Sequence, residues 1–144
     1  MKRLIVPALC VAAAALLSAP AVAATETPFT ATATFTQVIP GTTWEADGVL
    51  QVRNQLSTAA VTGDVVGTRY GVINRAGDRV WGTFVLVTAT VTWQGTFQGA
   101  IHSGCVTADF VGTGSDGSIF RATFTCTGTP GIQSAEGVIL DPRG

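Results

Sequence analysis

The chain has 144 residues, with eight basic and nine acidic side chains, and 47 % of it is hydrophobic. One domain beyond an N-terminal leader fits that length, and a single hydrophobic core is within its reach. Once Lys2 and Arg3 are set aside, the basic groups are six scattered arginines, which form no basic stripe and exclude nucleic acid as an expected partner.

The chain opens Met1-Lys2-Arg3, then runs apolar from Leu4 to Leu17, then reads Ser18-Ala19-Pro20-Ala21-Val22-Ala23-Ala24. A positive start, an apolar stretch and a small-residue cleavage site in that order make a secretory signal peptide. The apolar run, about 14 residues, is shorter than the roughly 20 that a spanning helix needs, and it contains Pro7. Residues 1–24 are therefore expected to be removed, after Ala23 or Ala24. Residues 25–144 are expected to form one exported domain with no stable membrane insertion. Leu9 precedes Cys10 where lipidation requires a small residue.

Beyond the leader, Thr, Val and Gly dominate, and apolar residues alternate by two rather than following a helical period. Phe29 to Val38 reads as the first strand, with Phe29, Ala31, Ala33 and Phe35 on one face and threonines on the other. Pro40-Gly41 ends it. Thr43 to Arg53 follows, with Trp44, Ala46, Leu50 and Val52 grouped against Glu45, Asp47, Gln51 and Arg53. Asp47-Gly48 fits either a tight turn or a bulge. Residues 57 to 74 are less regular, and Thr68 to Asn74 reads as a strand. Arg75-Ala76-Gly77-Asp78 is a hairpin turn.

Arg79 to Val87 is apolar on both faces, with Trp81, Val85 and Val87 opposite Val80, Phe84 and Leu86. After a loop at Thr88-Ala89-Thr90, Trp93, Gly95, Phe97, Gly99 and Ile101 alternate with polar neighbours. Cys105 to Gly112 and Ser118 to Cys126 flank a turn centred on Ser115 and Asp116. That register sets Cys105 directly opposite Cys126, Val111 opposite Phe120 and Thr107 opposite Phe124. It also turns Asp109 toward the apolar face, which a bulge would relieve. Cys105 and Cys126 are the pair left once Cys10 departs, and in an oxidising compartment they form a disulfide. Ala135 to Leu140 is the last strand.

About eight short strands with turn signals and no helix define an all-β domain, either a small antiparallel β-barrel or a β-sandwich. Gly82, Gly95, Gly99 and Gly112 favour the barrel, because glycine inside a strand relieves crowding where a sheet curls.

Trp93-Gln94-Gly95-Thr96-Phe97-Gln98-Gly99, followed by Phe110-Val111-Gly112-Thr113-Gly114, resembles the secreted calycin-type barrels grouped around allene oxide cyclase and the dirigent proteins. The likeness spans residues 60 to 140. It implies an eight-stranded antiparallel barrel with a central apolar cavity. No residues match the cyclase's polar set. Thr92-Trp93-Gln94-Gly95 is similar to avidin-like barrels, whose other ligand-contacting residues have no counterparts here.

No catalytic residue, metal site or cofactor motif stands out. His102 is the only histidine, no Cys-x-x-Cys occurs, and the nucleophile and phosphate-loop motifs are missing. Glu45 and Asp47 read as a solvated face. Trp44, Tyr70, Trp81 and Trp93 are the candidate ligand-binding residues, able to line a cavity or to fill the barrel. Three functions follow. A binding module would hold a small hydrophobic ligand among the tryptophans. A cyclase or isomerase would need a titratable group inside the barrel, with Glu45, Asp47, Asp64 and Asp109 as candidates. A structural or envelope-interaction protein would have a filled interior. Oligomeric state is left open.

Overall fold

The threonine-rich alternation produces nine antiparallel strands in a computed structural model that describes residues 23–144. The leader expected over residues 1–24 lies outside the described residues except for Ala23 and Ala24. The strands are β1 (Thr25–Ile39), β2 (Thr42–Ala46), β3 (Val49–Gly63), β4 (Gly67–Ala76), β5 (Arg79–Thr88), β6 (Thr92–His102), β7 (Cys105–Gly114), β8 (Ile119–Cys126) and β9 (Ile132–Asp141).

From β3 to β9 each strand pairs with the next in sequence, and β1 closes the ring. One edge of β1 pairs with β9, from Thr25 opposite Asp141 to Thr34 opposite Ile132. Its other edge pairs with β3, from Ala31 opposite Gly63 to Ile39 opposite Leu56. The result is a closed eight-stranded barrel, not a sandwich. Closure leaves no free edge along the ring. β2 is the extra strand. It continues along β3 after the Pro40-Gly41 break, and all five of its residues are exposed.

Period-two patterning sorts the side chains. Phe29, Ala31 and Ala33 of β1 are buried, as are Val80, Phe84 and Leu86 of β5. Outward on β5, Trp81 and Val85 are half-buried and Val87 is exposed, so this strand is dry on one face only. Trp93 and Phe97 of β6, Ala108 and Phe110 of β7, and Phe120, Ala122 and Phe124 of β8 complete the core with Ala59, Val61, Val65 and Ala135. Phe110 is its hub, with ring centroids 4.5 Å from Phe124, 4.8 Å from Phe97 and 5.1 Å from Phe84. Small inward residues make room for these rings. A Cβ on Gly95 would overlap the Val111 carbonyl of the adjacent strand, and one on Gly82 would overlap the Val72 carbonyl.

Two expectations change. Asp47-Gly48 is a tight turn with both residues at positive φ, 52° and 75°, as a type I′ hairpin requires. Thr43 to Arg53 is therefore two strands. Trp44 pairs with Gln51 and Glu45 with Leu50, so Trp44 and Leu50 are on opposite faces. In the β7–β8 hairpin the register is one residue from the expected one: Gly112 faces Phe120, Val111 faces Arg121 and Ala108 faces Phe124. A one-residue slip inverts every side chain. This register puts both aromatic faces inside and leaves Asp109 outside, where its carboxylate accepts a 2.7 Å hydrogen bond from Thr123. No bulge is needed. The Cys105–Cys126 disulfide does form, with Cα atoms 5.6 Å apart. It sits past the last ladder pair, Thr107 with Thr125, where the strands no longer have to keep register.

Candidate functional site

The barrel has one filled end and one hollow end. Toward the β5–β6 and β7–β8 loops, Phe29, Leu86, Trp93 and Phe120 fill the interior, with the Phe120 ring 5.3 Å from Phe29 and 5.5 Å from Trp93. Toward the opposite turns, Ser57, Gly71 and Ala108 supply little bulk, and a cavity of about 240 Å³ remains. Phe35, Phe97 and Phe110 give it aromatic walls, and Ile73, Ile101 and Val106 add aliphatic ones. Among the described residues its polar lining is Gln55, Ser57, Arg69, Arg75 and Gln133, with no Asp or Glu.

Arg69 dominates this site. Its β4 position faces Leu86 across the hairpin, which turns the side chain inward. Only 4 % of the residue is exposed. The guanidinium carbon lies 4.5 Å from the Phe124 ring centroid, 5.2 Å from that of Phe110 and 5.4 Å from that of Phe35. Nη2 donates to Gln133 Oε1 at 2.9 Å. Nη1 is buried and has no hydrogen-bond partner among the described residues. Burial pushes the Arg69 pKa down to about 10, so the group stays charged at neutral pH. Arg75, half-buried, also lines the cavity and donates from Nε to the Gly77 carbonyl at 2.6 Å.

The four aromatic candidates do not converge on this cavity. Trp93 is inside, but at the filled end, where Nε1 donates to Ser118 Oγ at 2.9 Å. Tyr70 is exposed on the outer face of β4. Trp44 and Trp81 meet outside the barrel through an arginine. The Arg53 guanidinium carbon is 5.1 Å from the Trp44 ring centroid and 4.8 Å from that of Trp81, and the Arg79 guanidinium carbon lies 5.0 Å from the Trp81 centroid. Alternation along β5 alone places Trp81 opposite Val80, Phe84 and Leu86.

Glu45, Asp47, Asp64 and Asp109 are all exposed, and none lines the cavity. Asp64 instead accepts from the Thr30 backbone N–H at 2.9 Å, tying β1 to the end of β3. His102 is exposed at the end of β6. Among the described residues no three His, Cys, Asp or Glu side chains are grouped to hold a metal ion.

Sequence reasoning missed Arg69, Gln133 and the phenylalanine walls as a site. A signal for Arg69 was available: a tight turn at Gly77-Asp78 pairs Ala76 with Arg79, and counting back sets Arg69 opposite a core leucine. Fold and cavity together define a closed eight-stranded antiparallel barrel with one hollow end. Neither protein-family models, nor curated proteins, nor solved structures give a match to this chain.

Proposed function

We propose that the protein is an exported binding module that holds one small, mostly apolar molecule in the hollow end of its barrel. The observation that carries this reading is the cavity of about 240 Å³ walled by Phe35, Phe97 and Phe110. Ligand sites are concave and mostly apolar, with a few placed polar groups. The volume is below the roughly 300 Å³ at which drug-sized sites begin, so the fitting ligand is a single ring or a short chain. A purely structural role calls for a filled interior. A cyclase or isomerase role calls for an acid or base inside, and its four candidate carboxylates are exposed. The likeness to allene oxide cyclase and dirigent barrels agrees with the architecture, but barrels of any ancestry share it, so the cavity carries the argument. The leader and the Cys105–Cys126 disulfide support export.

Methyl NMR of the exported form, titrated with toluene, benzyl alcohol and hexanol, tests the reading. Saturable shifts at Ile73, Ile101 and Val106 are expected. Shifts confined to the outer surface, or none, would overturn it.

A further inference from the structure

We infer that the ligand of the hollow end is a small monocarboxylate, with its anionic oxygens on Arg69 Nη1 and its apolar body along Phe35, Phe97 and Phe110. The inference rests on the proposed function and narrows it to one chemical class.

A buried guanidinium is costly unless it is paired. Its charge cannot be shed at physiological pH, so it needs partners for its five N–H donors. Among the described residues Arg69 has one side-chain acceptor, the neutral Gln133, and three aromatic faces. Cation–π contacts hold the cation in place and leave the in-plane donors free. Nη1 is the one buried side-chain polar atom without a partner among the described residues, and it belongs to a side chain that lines the cavity. Opposite charge is also missing from the cavity lining among the described residues. Arg69 and Arg75 both line the cavity, and no carboxylate does. The occupant that completes the site is therefore an acceptor with negative charge.

Two further features select the carboxylate. Arg75 is only half-buried and its Nε already donates to the Gly77 carbonyl, so Arg69 is the one enclosed cation; a monoanion neutralises it, whereas a dianion such as phosphate would bring a second charge into an apolar enclosure. The walls are mostly hydrocarbon, so a bare inorganic ion would leave them unoccupied. A ring or short chain bearing one carboxylate satisfies both, through a charge-assisted hydrogen bond at the arginine and apolar contact elsewhere.

The test compares matched pairs, benzoate with benzamide and hexanoate with hexanamide, by calorimetry and methyl NMR, with sodium sulfate as a third arm. On the natural protein the acids should bind about ten- to a hundredfold more tightly than their amides, the range that a net charge-assisted hydrogen bond provides. In Arg69→Met the preference should disappear, while the amides still shift Ile73, Ile101 and Val106. If the amides bind the natural protein as well as the acids, the carboxylate assignment falls and the hydrophobic-ligand reading survives. Sulfate binding as tight as benzoate would mark an inorganic anion site and also overturn the assignment. If no compound shifts the cavity methyls, both readings fall. The comparison on the natural protein decides the question even if Arg69→Met does not fold.

Discussion

Arg69 and Gln133 stand 64 positions apart in the chain and meet inside the barrel, where Nη2 donates to Oε1 at 2.9 Å. The pair bridges strands that are not neighbours in the sheet, β4 and β9, across the interior. Gln133 is thereby the one side chain among the described residues that accepts a hydrogen bond from the buried cation. The arrangement is incomplete by itself, since a neutral amide gives one acceptor to a group with five donors.

Substitution at Gln133 measures that dependence. Gln133→Leu leaves the guanidinium buried without its acceptor, and a loss of about 1.5–3 kcal/mol is expected, the range for hydrogen bonds to charged groups. Arg69→Met combined with Gln133→Leu removes both partners. Replacing buried charge by apolar volume is often neutral or stabilising by about 1–4 kcal/mol, so the double variant should match or exceed the natural protein. Urea midpoints at unchanged slope report both. A silent Gln133→Leu would mean that the aromatic faces alone hold Arg69.

Two glycines separate packing from backbone strain. A Cβ on Gly95 would overlap the Val111 carbonyl and crowd the Gly112 Cα, both backbone atoms that cannot swing aside. Gly104 has open space around it but sits at φ 76°. Gly104→Ala should cost about 1–2 kcal/mol, the usual penalty for a left-handed alanine. Gly95→Ala should cost about 3 kcal/mol or more, at the upper end for overpacking, because β6 and β7 must part. Amide exchange will distinguish them: faster exchange along the β6–β7 ladder in Gly95→Ala, and a change confined to the Ser103-Gly104 turn in the other.

Much of the barrel was legible because period two is a strong signal when one face is dry. Phe29, Ala31 and Ala33 alternate with threonines and are buried as their pattern requires. The β7–β8 register was also within reach. Ala108 and Phe110 share number parity with Phe120, Ala122 and Phe124, so inward pairs have to match even with even. Setting Cys105 directly opposite Cys126 broke that parity. The disulfide escapes the constraint only because it lies beyond the ladder. Less was legible at the site. An aromatic residue suits either face of a barrel strand, so Trp44, Tyr70 and Trp81 were indistinguishable in kind from the phenylalanines that line the cavity. Arginine is ordinarily a surface residue, and only closure of the ring through β1, which pairs with both β3 and β9, sets Arg69 of β4 across the interior from Gln133 of β9.

At the filled end, Trp93, Ser118 and Asp116 form a chain with a defined response to pH. Trp93 Nε1 donates to Ser118 Oγ at 2.9 Å, and the Ser118 hydroxyl and backbone N–H both donate to Asp116 Oδ1. The Ser118 hydroxyl first, then its N–H, hold the Asp116 carboxyl below the usual carboxylate range, and the charge of Arg143 adds to them. A carboxylate whose folded pKa lies below its unfolded value of about 3.9 stabilises the fold above that pH. This contribution is lost as the pH falls through the folded pKa. Ser118→Ala should therefore act twice. It strands the buried Trp93 indole N–H at a cost of about 1–3 kcal/mol that does not vary with pH. It also removes the hydroxyl's share of the Asp116 contribution, the largest one, which is present at neutral pH and absent in strong acid, while the backbone N–H and Arg143 keep theirs. Asp141 is held low as well, by Arg143, so acid lability alone is ambiguous. The informative quantity is the difference in melting temperature between the natural protein and Ser118→Ala. It should be largest near neutrality and narrow below about pH 4 without vanishing. In the variant, NMR titration should return the Asp116 carboxyl toward its ordinary value. A difference that stays constant with pH would place the whole effect on Trp93.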